Sequence, residues 1–209
     1  MGNSNELSAE AIAGQFVPTN YFAPLDFDCV FRRAAPVEVD IGSGNGSFLV
    51  ALAQKKPERN FLGLERLAGR VRSACRKIAE QNLSNARVLR LESSYAIQYL
   101  LPPRSIAVFH LLFPDPWPKR RHQRRRIVTP EFLRSIHRAL TAKGLLTVAT
   151  DEQDYFDEMV KMADHLRAFV IGQSGGVQWN LPASAFERRF RDKGIHIHRL
   201  VLRKVSEVR

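Results

Sequence analysis

The chain has 209 residues, of which 44% are hydrophobic and 25% are charged, and this composition is typical of one globular domain. No apolar run is long enough to span a membrane, and the polar first residues lack a secretory-signal pattern, so we expect a cytoplasmic protein. The formal net charge of +11 predicts a polyanionic partner, because no basic amphipathic helix points to a membrane surface instead.

The cysteines and histidines give no sequence evidence for a metal site. Cys29 and Cys75 lie far apart, and neither they nor the six histidines show the spacing of metal ligands. We therefore expect no metal and two reduced thiols. His110 lies in an apolar run, which favours a position in the core.

Strand-length apolar runs alternate with amphipathic helical segments from residue 37 onward. We expect residues 1–35 to form an N-terminal extension and residues 36–209 to form the main domain. Strands are predicted over 37–41, 60–64, 86–91, 106–112 and 145–150. Helices are predicted over 47–54, 67–82, 95–101, 130–140 and 152–166. The alternation indicates an α/β fold with a mostly parallel sheet and helices on both faces.

Several details of these elements are also predicted. Lys77 falls on the outer face of its helix, while Lys143 and Gly144 are expected to end the helix that starts at Pro130. We expect residues 177–204 to form antiparallel strands around the segment 184–187.

The first strand runs into a glycine turn with the sequence Asp40-Ile-Gly42-Ser-Gly44-Asn-Gly46. Glycines let the chain turn tightly and bring backbone N–H groups close to a ligand. In the dinucleotide fingerprint G-x-G-x-x-G the third glycine comes one residue later, and Asp40 would repel a phosphate but suit an amine. Glu65 can accept hydrogen bonds from both hydroxyls of a ribose, and Glu92 can accept one from an adenine amino group. These features favour S-adenosylmethionine, with NAD and an oxidoreductase as the alternative.

The fourth strand leads into the proline loop, Phe113-Pro-Asp-Pro-Trp-Pro-Lys119, followed by the basic run, Arg120-Arg-His-Gln-Arg-Arg-Arg126. The prolines exclude a helix interior or a central strand, so Asp115 and Trp117 are presented from a stiff backbone. A carboxylate and an aromatic ring beside phosphate-binding cations suit an enzyme that acts on a nucleic-acid base. The alternative is a rigid surface turn beside a solvated charged face.

Acidic residues stand at or near the ends of five successive predicted strands: Asp40, Glu65, Glu92, Asp115 and Asp151. In parallel α/β sheets, ligands bind beyond these ends, near the point where the strand order reverses. Strand ends favour polar residues in any protein, so each acid alone has a structural explanation. Together they predict one ligand site along the rim of the sheet.

With these motifs assembled, the chain resembles the bacterial tRNA (guanine-N7)-methyltransferase family from about residue 37 to residue 200. Besides the glycine turn, the proline loop and the basic run, the resemblance rests on Phe61-Leu-Gly-Leu-Glu65, Ala149-Thr-Asp151 and Ser184-Ala-Phe-Glu187. It implies a Rossmann-like class I methyltransferase fold that carries an antiparallel C-terminal strand pair. It also implies methyl transfer from S-adenosylmethionine to N7 of guanosine in the tRNA variable loop, by a monomer or a homodimer.

The resemblance implies roles for individual residues. Donor binding is expected from Asp40, Gly42, Gly44, Gly46, Glu65, Glu92 and Asp115, and catalysis from Asp115. Substrate binding is expected from Lys119, Arg121, Arg124, Arg125, Asp151, Ser184, Phe186 and Glu187. We also expect Arg126 to contact tRNA phosphates together with its neighbours in the basic run.

The chain departs from the family pattern at a few positions. Asp40 and Glu92 replace a usual Glu and a usual Asp or Asn, Ser184 replaces Thr, Ala185 replaces Lys, and His198 replaces Trp. These changes bear on substrate affinity more than on the reaction itself.

Guanine N7 has a lone pair and no proton, so its methylation depends mainly on the alignment of the reacting atoms. We expect Asp115 to accept hydrogen bonds from the base and to favour its developing positive charge. Asp151 is a second candidate for substrate contact and also suits a helix N-cap. The alternatives are a methyltransferase of the same fold that acts on another RNA or on a protein, and a non-catalytic RNA-binding relative.

Overall fold

The strand pattern is confirmed by a computed structural model, which describes residues 13–172 and 181–205. In these residues eight strands form one sheet. They are β1 (Gln15–Phe16), β2 (Val37–Ile41), β3 (Asn60–Glu65), β4 (Ala86–Arg90), β5 (Ile106–Leu112), β6 (Leu140–Thr150), β7 (Phe169–Gly172) and β8 (His198–Lys204). Both β2 and β5 begin and end at the predicted residues.

Helices cover both faces of this sheet. In chain order the α-helices are α1 (Phe27–Phe31), α2 (Ser47–Lys55), α3 (Ala68–Glu80), α4 (Ser93–Tyr95), α5 (Pro130–Ala139), α6 (Gln153–Leu166) and α7 (Ala185–Asp192). A π-helical turn over Ala96–Leu100 continues α4, and a 3-10 helix covers Arg120–Arg125. The start of α5 is capped by Thr129, whose hydroxyl accepts a hydrogen bond from the Phe132 N–H at 3.1 Å.

The strands lie in the order β1-β4-β3-β2-β5-β6-β8-β7. Neighbours from β1 to β6 pair in parallel, whereas β8 pairs antiparallel with both β6 and β7. The chain winds outward from β2 through β3 and β4, then returns to β5 and winds the other way. The strand order therefore reverses between β2 and β5, where ligands of such sheets bind. The predicted fold class is confirmed.

Two hydrophobic clusters cover the two faces of the sheet. On one face, Val39 and Leu62 belong to a cluster with Ile136 of α5. On the other face, Phe61 belongs to a cluster with Leu52 of α2. The central strands are buried on both sides, which is why they appear in the sequence as nearly continuous apolar runs.

A chain of buried polar side chains crosses the middle of the sheet. His110 Nε2 lies 2.9 Å from Glu38, and its Nδ1 lies 2.8 Å from the Thr147 hydroxyl. Glu38 also pairs with Lys56 and Arg59, each at 3.0 Å. Burial acts to raise the pKa of Glu38, but His110 and Lys56 lower it to about 2. His110 is therefore a core histidine, as predicted.

The boundary between α5 and β6 differs from the prediction. The helix ends at Ala139, and Leu140 is already extended and paired with Ile106 of β5. Lys204 of β8 donates hydrogen bonds to the backbone carbonyls of His137 and Leu140, at 2.7 and 2.9 Å. These contacts come from a distant strand, so the expectation that Lys143 and Gly144 end the helix was wrong.

The C-terminal strand pair exists, but its position and its connection differ from the prediction. The pair consists of β7, which precedes the predicted region, and β8. Residues 177–180 of the predicted strand region lie outside the described residues. The segment 184–187 opens α7, because the Ser184 hydroxyl accepts a hydrogen bond from the Glu187 N–H at 3.0 Å. Ser followed three residues later by Glu is the sequence pattern of a helix N-terminus.

Part of the predicted N-terminal extension joins the sheet and the core. Gln15 and Phe16 pair with β4, and Val30 and Phe31 of α1 are buried in the larger hydrophobic cluster. Residues 1–12 lie outside the described residues.

Candidate active site

The parallel strands bring the predicted acidic residues to one edge of the sheet. Asp40 lies on β2, in register with Gly63 of β3 and His110 of β5. The proline loop leaves the end of β5, and the Phe113 N–H donates to the Ala149 carbonyl of β6 at 2.7 Å. The edge is therefore continuous from β3 across the strand reversal to β6.

The glycine turn requires glycine for two different reasons. Gly42, Gly44 and Gly46 have φ values of +70, +56 and +76°, a region that other residues rarely adopt. A Cβ on Gly46 would also lie 2.5 Å from the Cβ of Ala74 in α3, whereas a Cβ on Gly42 would meet nothing within 4 Å. Gly46 therefore permits helix packing, and Gly42 leaves open space in front of the turn.

The Asp40 carboxylate is the clearest structural indication of a ligand-binding site. Its side chain is buried, and among the described residues its Oδ2 has no hydrogen-bond partner. Burial and the neighbouring Glu65 carboxylate raise the pKa of Asp40 to about 7. A buried polar atom of this kind is costly unless it is paired. A cationic amine would supply both the hydrogen bond and the opposite charge.

Glu65 orders the glycine turn from the end of β3. Its Oε2 accepts a hydrogen bond from the Gly44 N–H at 3.1 Å, and its Oε1 accepts one from the Leu67 N–H at 2.9 Å. Each carboxylate oxygen has a second lone pair. The residue can therefore hold the loop and still accept hydroxyl groups of a ribose.

Lys77 supports the same turn, although the sequence pattern placed it on the outer face of α3. Its ammonium donates to the Asn45 carbonyl at 3.0 Å and to the Ser47 hydroxyl at 2.7 Å. Burial lowers the pKa of Lys77. A lysine on a basic amphipathic helix gives no sequence signal for this role, which depends on how α3 packs beneath the turn.

Glu92 stands at the rim after β4 and caps the helix that follows. Its carboxylate accepts hydrogen bonds from the backbone N–H groups of Ser94 and Tyr95, at 3.0 and 2.8 Å. The side chain is exposed. The structure thus shows a capping role, and its contact with an adenine stays a prediction.

The proline loop is held at its centre by Arg126. The Arg126 Nε donates to the Pro116 carbonyl at 2.8 Å, and the guanidinium lies 4.4 Å from the centre of the Tyr155 ring and pairs with Glu158. Arg126 is only 7% exposed, so these contacts leave it unsuited to the phosphate contact that the basic run suggested. Its role in the structure is to position the loop that carries Asp115.

Four cations of the segment 119–125 face solvent. Lys119, Arg121, Arg124 and Arg125 are exposed, and so is Asp115. Trp117 has a φ of +43° and packs under this segment, because Arg125 lies 5.0 Å from its ring centre and His122 contacts it edge-on at 5.9 Å. The indole therefore supports the cationic surface.

Asp151 directly follows β6 at the same edge. The N-cap of α6 is Glu152, whose backbone N–H donates to the Thr150 hydroxyl at 3.2 Å, so the predicted N-cap role of Asp151 was wrong. The nearby His198 ring lies 5.2 Å from the Phe156 ring. The position where the family has tryptophan thus keeps an aromatic contact.

The C-terminal motif reaches this edge through α7. Glu187 is buried and accepts hydrogen bonds from Arg191 and Arg199, at 2.5 and 2.7 Å. Arg199 is in register with Ala149 at the end of β6. Phe186 is 54% exposed, and its ring lies 6.2 Å from that of Phe113 at the start of the proline loop.

The described residues contain neither a cluster of metal ligands nor a helix that could span a membrane. Residues 13–172 and 181–205 contain no group of three or more His, Cys, Asp and Glu side chains that could hold a metal ion. None of the helices in this part of the chain combines the length and the hydrophobicity that a membrane crossing requires.

Comparison with known proteins matches this architecture to methyltransferases. A family model described as "Putative methyltransferase" matches residues 34–200. A tRNA (guanine-N(7)-)-methyltransferase of Leifsonia xyli is 41% identical over 86% of this chain and 81% of its own length. One of Thermotoga maritima is 33% identical over 88% of this chain and 58% of its own.

The fold has solved counterparts at low sequence identity. The crystal structure of the 16S rRNA methyltransferase KamB has a TM-score of 0.64 at 16% identity, covering 93% of this chain and 98% of its own. That likeness concerns the fold alone. The family model and the two relatives, by contrast, show that the chain belongs to the tRNA (guanine-N7)-methyltransferase family.

Proposed function

We propose that this protein transfers a methyl group from S-adenosylmethionine to N7 of guanosine in the variable loop of tRNA. The observation that carries the proposal is the buried oxygen of Asp40, which has no hydrogen-bond partner within residues 13–172 and 181–205. It lies at the strand reversal, on the same edge as the exposed Asp115 and its cationic neighbours. One side of this edge offers a carboxylate that can pair with an amine. The other side offers a cationic surface that can bind a polyanion.

The donor side of the site fits S-adenosylmethionine group by group. Asp40 would accept hydrogen bonds from the amino group, and Glu65 would accept them from the ribose hydroxyls. The open space at Gly42 would let the backbone of the turn lie close to the donor. When bound, the donor supplies a methyl group already activated by its sulfonium, so the protein contributes orientation and electrostatics.

On the acceptor side, Asp115 would hold the guanine. N7 attacks through its lone pair, and no proton has to leave that atom. The Asp115 carboxylate would accept from the N1–H and amino groups and stabilise the positive charge that grows on the ring. The hydrogen bond from Arg126 to the Pro116 carbonyl would hold the Asp115 carboxylate in position for the guanine ring. Such alignment of the reacting groups lowers the barrier.

The proposal is tested with unmodified tRNA and donor labelled in its methyl group. Aniline cleavage at 7-methylguanosine should locate the label at a guanosine of the variable loop. Asp115→Asn should lower kcat by about 10²- to 10³-fold and leave the Kd for tRNA nearly unchanged, because the cations beside Asp115 supply most of the attraction for the RNA backbone. Asp164→Asn is the matched control, because Asp164 is an exposed aspartate in the last turn of α6. Label on another base, on protein, or on no acceptor would refute the proposal.

A further inference from the structure

The helix α7 presents two different faces. Its buried side carries Glu187, while Phe190 packs on Phe113 of the proline loop at 5.2 Å between ring centres. The solvent side is cationic, with four exposed residues in and just after the helix: Arg188, Arg189, Arg191 and Lys193. The aromatic contact therefore fixes a basic surface beside the loop that carries Asp115.

A recess of about 410 Å³ continues this surface from the end of α7 to the start of β8. Arg191, His196 and Arg199 contribute to its lining. Arg191 and Arg199 share the single carboxylate of Glu187, so one carboxylate faces two guanidinium groups. Even with the exposed Asp192 included, this part of the chain keeps an excess of positive charge.

The basic surface of α7 and the basic run lie at opposite ends of the proline loop. Phe113, which contacts α7, begins the loop, and Lys119, which precedes the 3-10 helix, ends it. The recess lies at the same edge of the sheet, because β8 begins with His198 and Arg199 paired to Thr150 and Ala149 of β6. Basic segments therefore adjoin the loop that carries Asp115 at both of its ends.

We propose that the surface formed by Arg188, Arg189, Arg191 and Lys193, together with the adjoining recess, binds backbone phosphates of the RNA substrate. This inference rests on the proposed function and adds a second phosphate-binding surface to the basic run. Guanidinium groups match phosphate oxygens in bidentate geometry. Contacts on both sides of the loop would hold the RNA backbone across Asp115, so that one guanine is presented to the donor.

The test removes two cations of this surface that make no contact with the buried side of α7. Arg189→Ala/Lys193→Ala is chosen because Arg188 donates to the Ala183 carbonyl at 2.7 Å and Arg191 holds Glu187. The matched control is Lys143→Ala/Arg203→Ala, which removes two exposed cations at the amino end of β6. Both double variants lose the same charge.

The Kd for tRNA is measured against salt concentration for the wild type and both double variants, with donor affinity as a check on folding. We expect the α7 variant to bind several-fold more weakly at low salt and to show a slope of log K against log salt that is smaller by about 1 to 2. The control should match the wild type. An unchanged slope in the α7 variant, or an equal loss in both, would overturn the inference.

Methylation by the wild type separates this inference from the proposed function. If the wild type forms 7-methylguanosine and the α7 variant keeps the wild-type slope, only the inference about α7 fails. If the wild type neither binds nor methylates tRNA, both fail.

Discussion

Asp40 keeps a carboxylate in the core at a cost to stability. The rise of its pKa from 3.8 to about 7 corresponds to roughly 4 kcal/mol between the neutral and the ionised form. Because the folded value lies above the unfolded one, the donor-free protein loses stability as the pH rises from about 4 to about 7. An amine bound at Asp40 would recover part of this energy.

We therefore expect Asp40→Asn to stabilise the donor-free protein above pH 7 by roughly 1 to 3 kcal/mol relative to the wild type, because no charge has to be buried. The difference should shrink toward pH 4. Urea unfolding at a series of pH values measures it. The same variant should bind S-adenosylhomocysteine at least about tenfold more weakly, by calorimetry. Equal donor affinity would show that Asp40 does not hold the amine.

Arg126 and Arg125 are neighbours in the sequence with different surroundings. Arg126 is buried against Tyr155 and the Pro116 carbonyl, whereas Arg125 is exposed above Trp117. One arginine thus shapes the proline loop and the other is available to a polyanion.

We expect Arg126→Met to lower kcat about tenfold or more, because methionine can make neither the hydrogen bond to Pro116 nor the ion pair with Glu158. If Arg126 contacts no phosphate, the salt slope of tRNA binding should stay at the wild-type value, although the variant removes a positive charge. Arg125→Ala should do the opposite and reduce the slope by about 1. Single-turnover kinetics and binding titrations distinguish the two effects. A reduced slope in Arg126→Met would place this residue at the phosphates instead.

At the scale of elements, α3 supports the glycine turn. Ala74 lies against Gly46, and Lys77 holds the Asn45 carbonyl and the Ser47 hydroxyl. The geometry of the donor side therefore depends on a helix that makes no predicted contact with the donor.

Lys77→Met should weaken donor binding by about tenfold, since charged hydrogen bonds contribute about 1.5–3 kcal/mol and the turn would lose two of them. The affinity for tRNA should change little. Arg76→Met is the control, because Arg76 is the exposed neighbour on the same helix. Calorimetric titration with S-adenosylhomocysteine measures both variants, and equal affinities would argue against a supporting role for Lys77.

At the scale of the whole molecule, the proposed function assigns the net charge of +11 to RNA binding and not to donor binding. Lys119, Arg121, Arg124 and Arg125 lie on one exposed segment beside Asp115. Each phosphate that they neutralise releases counterions.

Four phosphate contacts on this segment contribute about −3 to the slope of log K against log salt for tRNA binding, since each contact contributes about −0.7 to −0.9. Contacts at the α7 surface would make the total slope steeper. Donor binding should show almost no salt dependence. Titrations between low and physiological salt measure both quantities. A tRNA slope near zero would contradict the assignment of the basic run.

Local pattern was enough to predict the five parallel strands β2 to β6, the glycine turn and the acidic rim, but not β1 or the position of β7. An apolar run such as β2 predicts a strand that is buried on both faces, and the glycines of 42–46 predict positive φ values. Both signals come from residues that are close together in the sequence. The family resemblance added the expected roles of Asp115 and of the residues 184–187.

The features that could not be predicted from the amino-acid sequence depend on packing between segments that are far apart along the chain. The end of α5 depends on Lys204, the burial of Arg126 on α6, and the support of the glycine turn on Lys77 of α3. Hydrophobic and charge patterns tell which residues can be buried or exposed. They do not tell which partner meets a given side chain, because that depends on contacts between elements far apart along the chain.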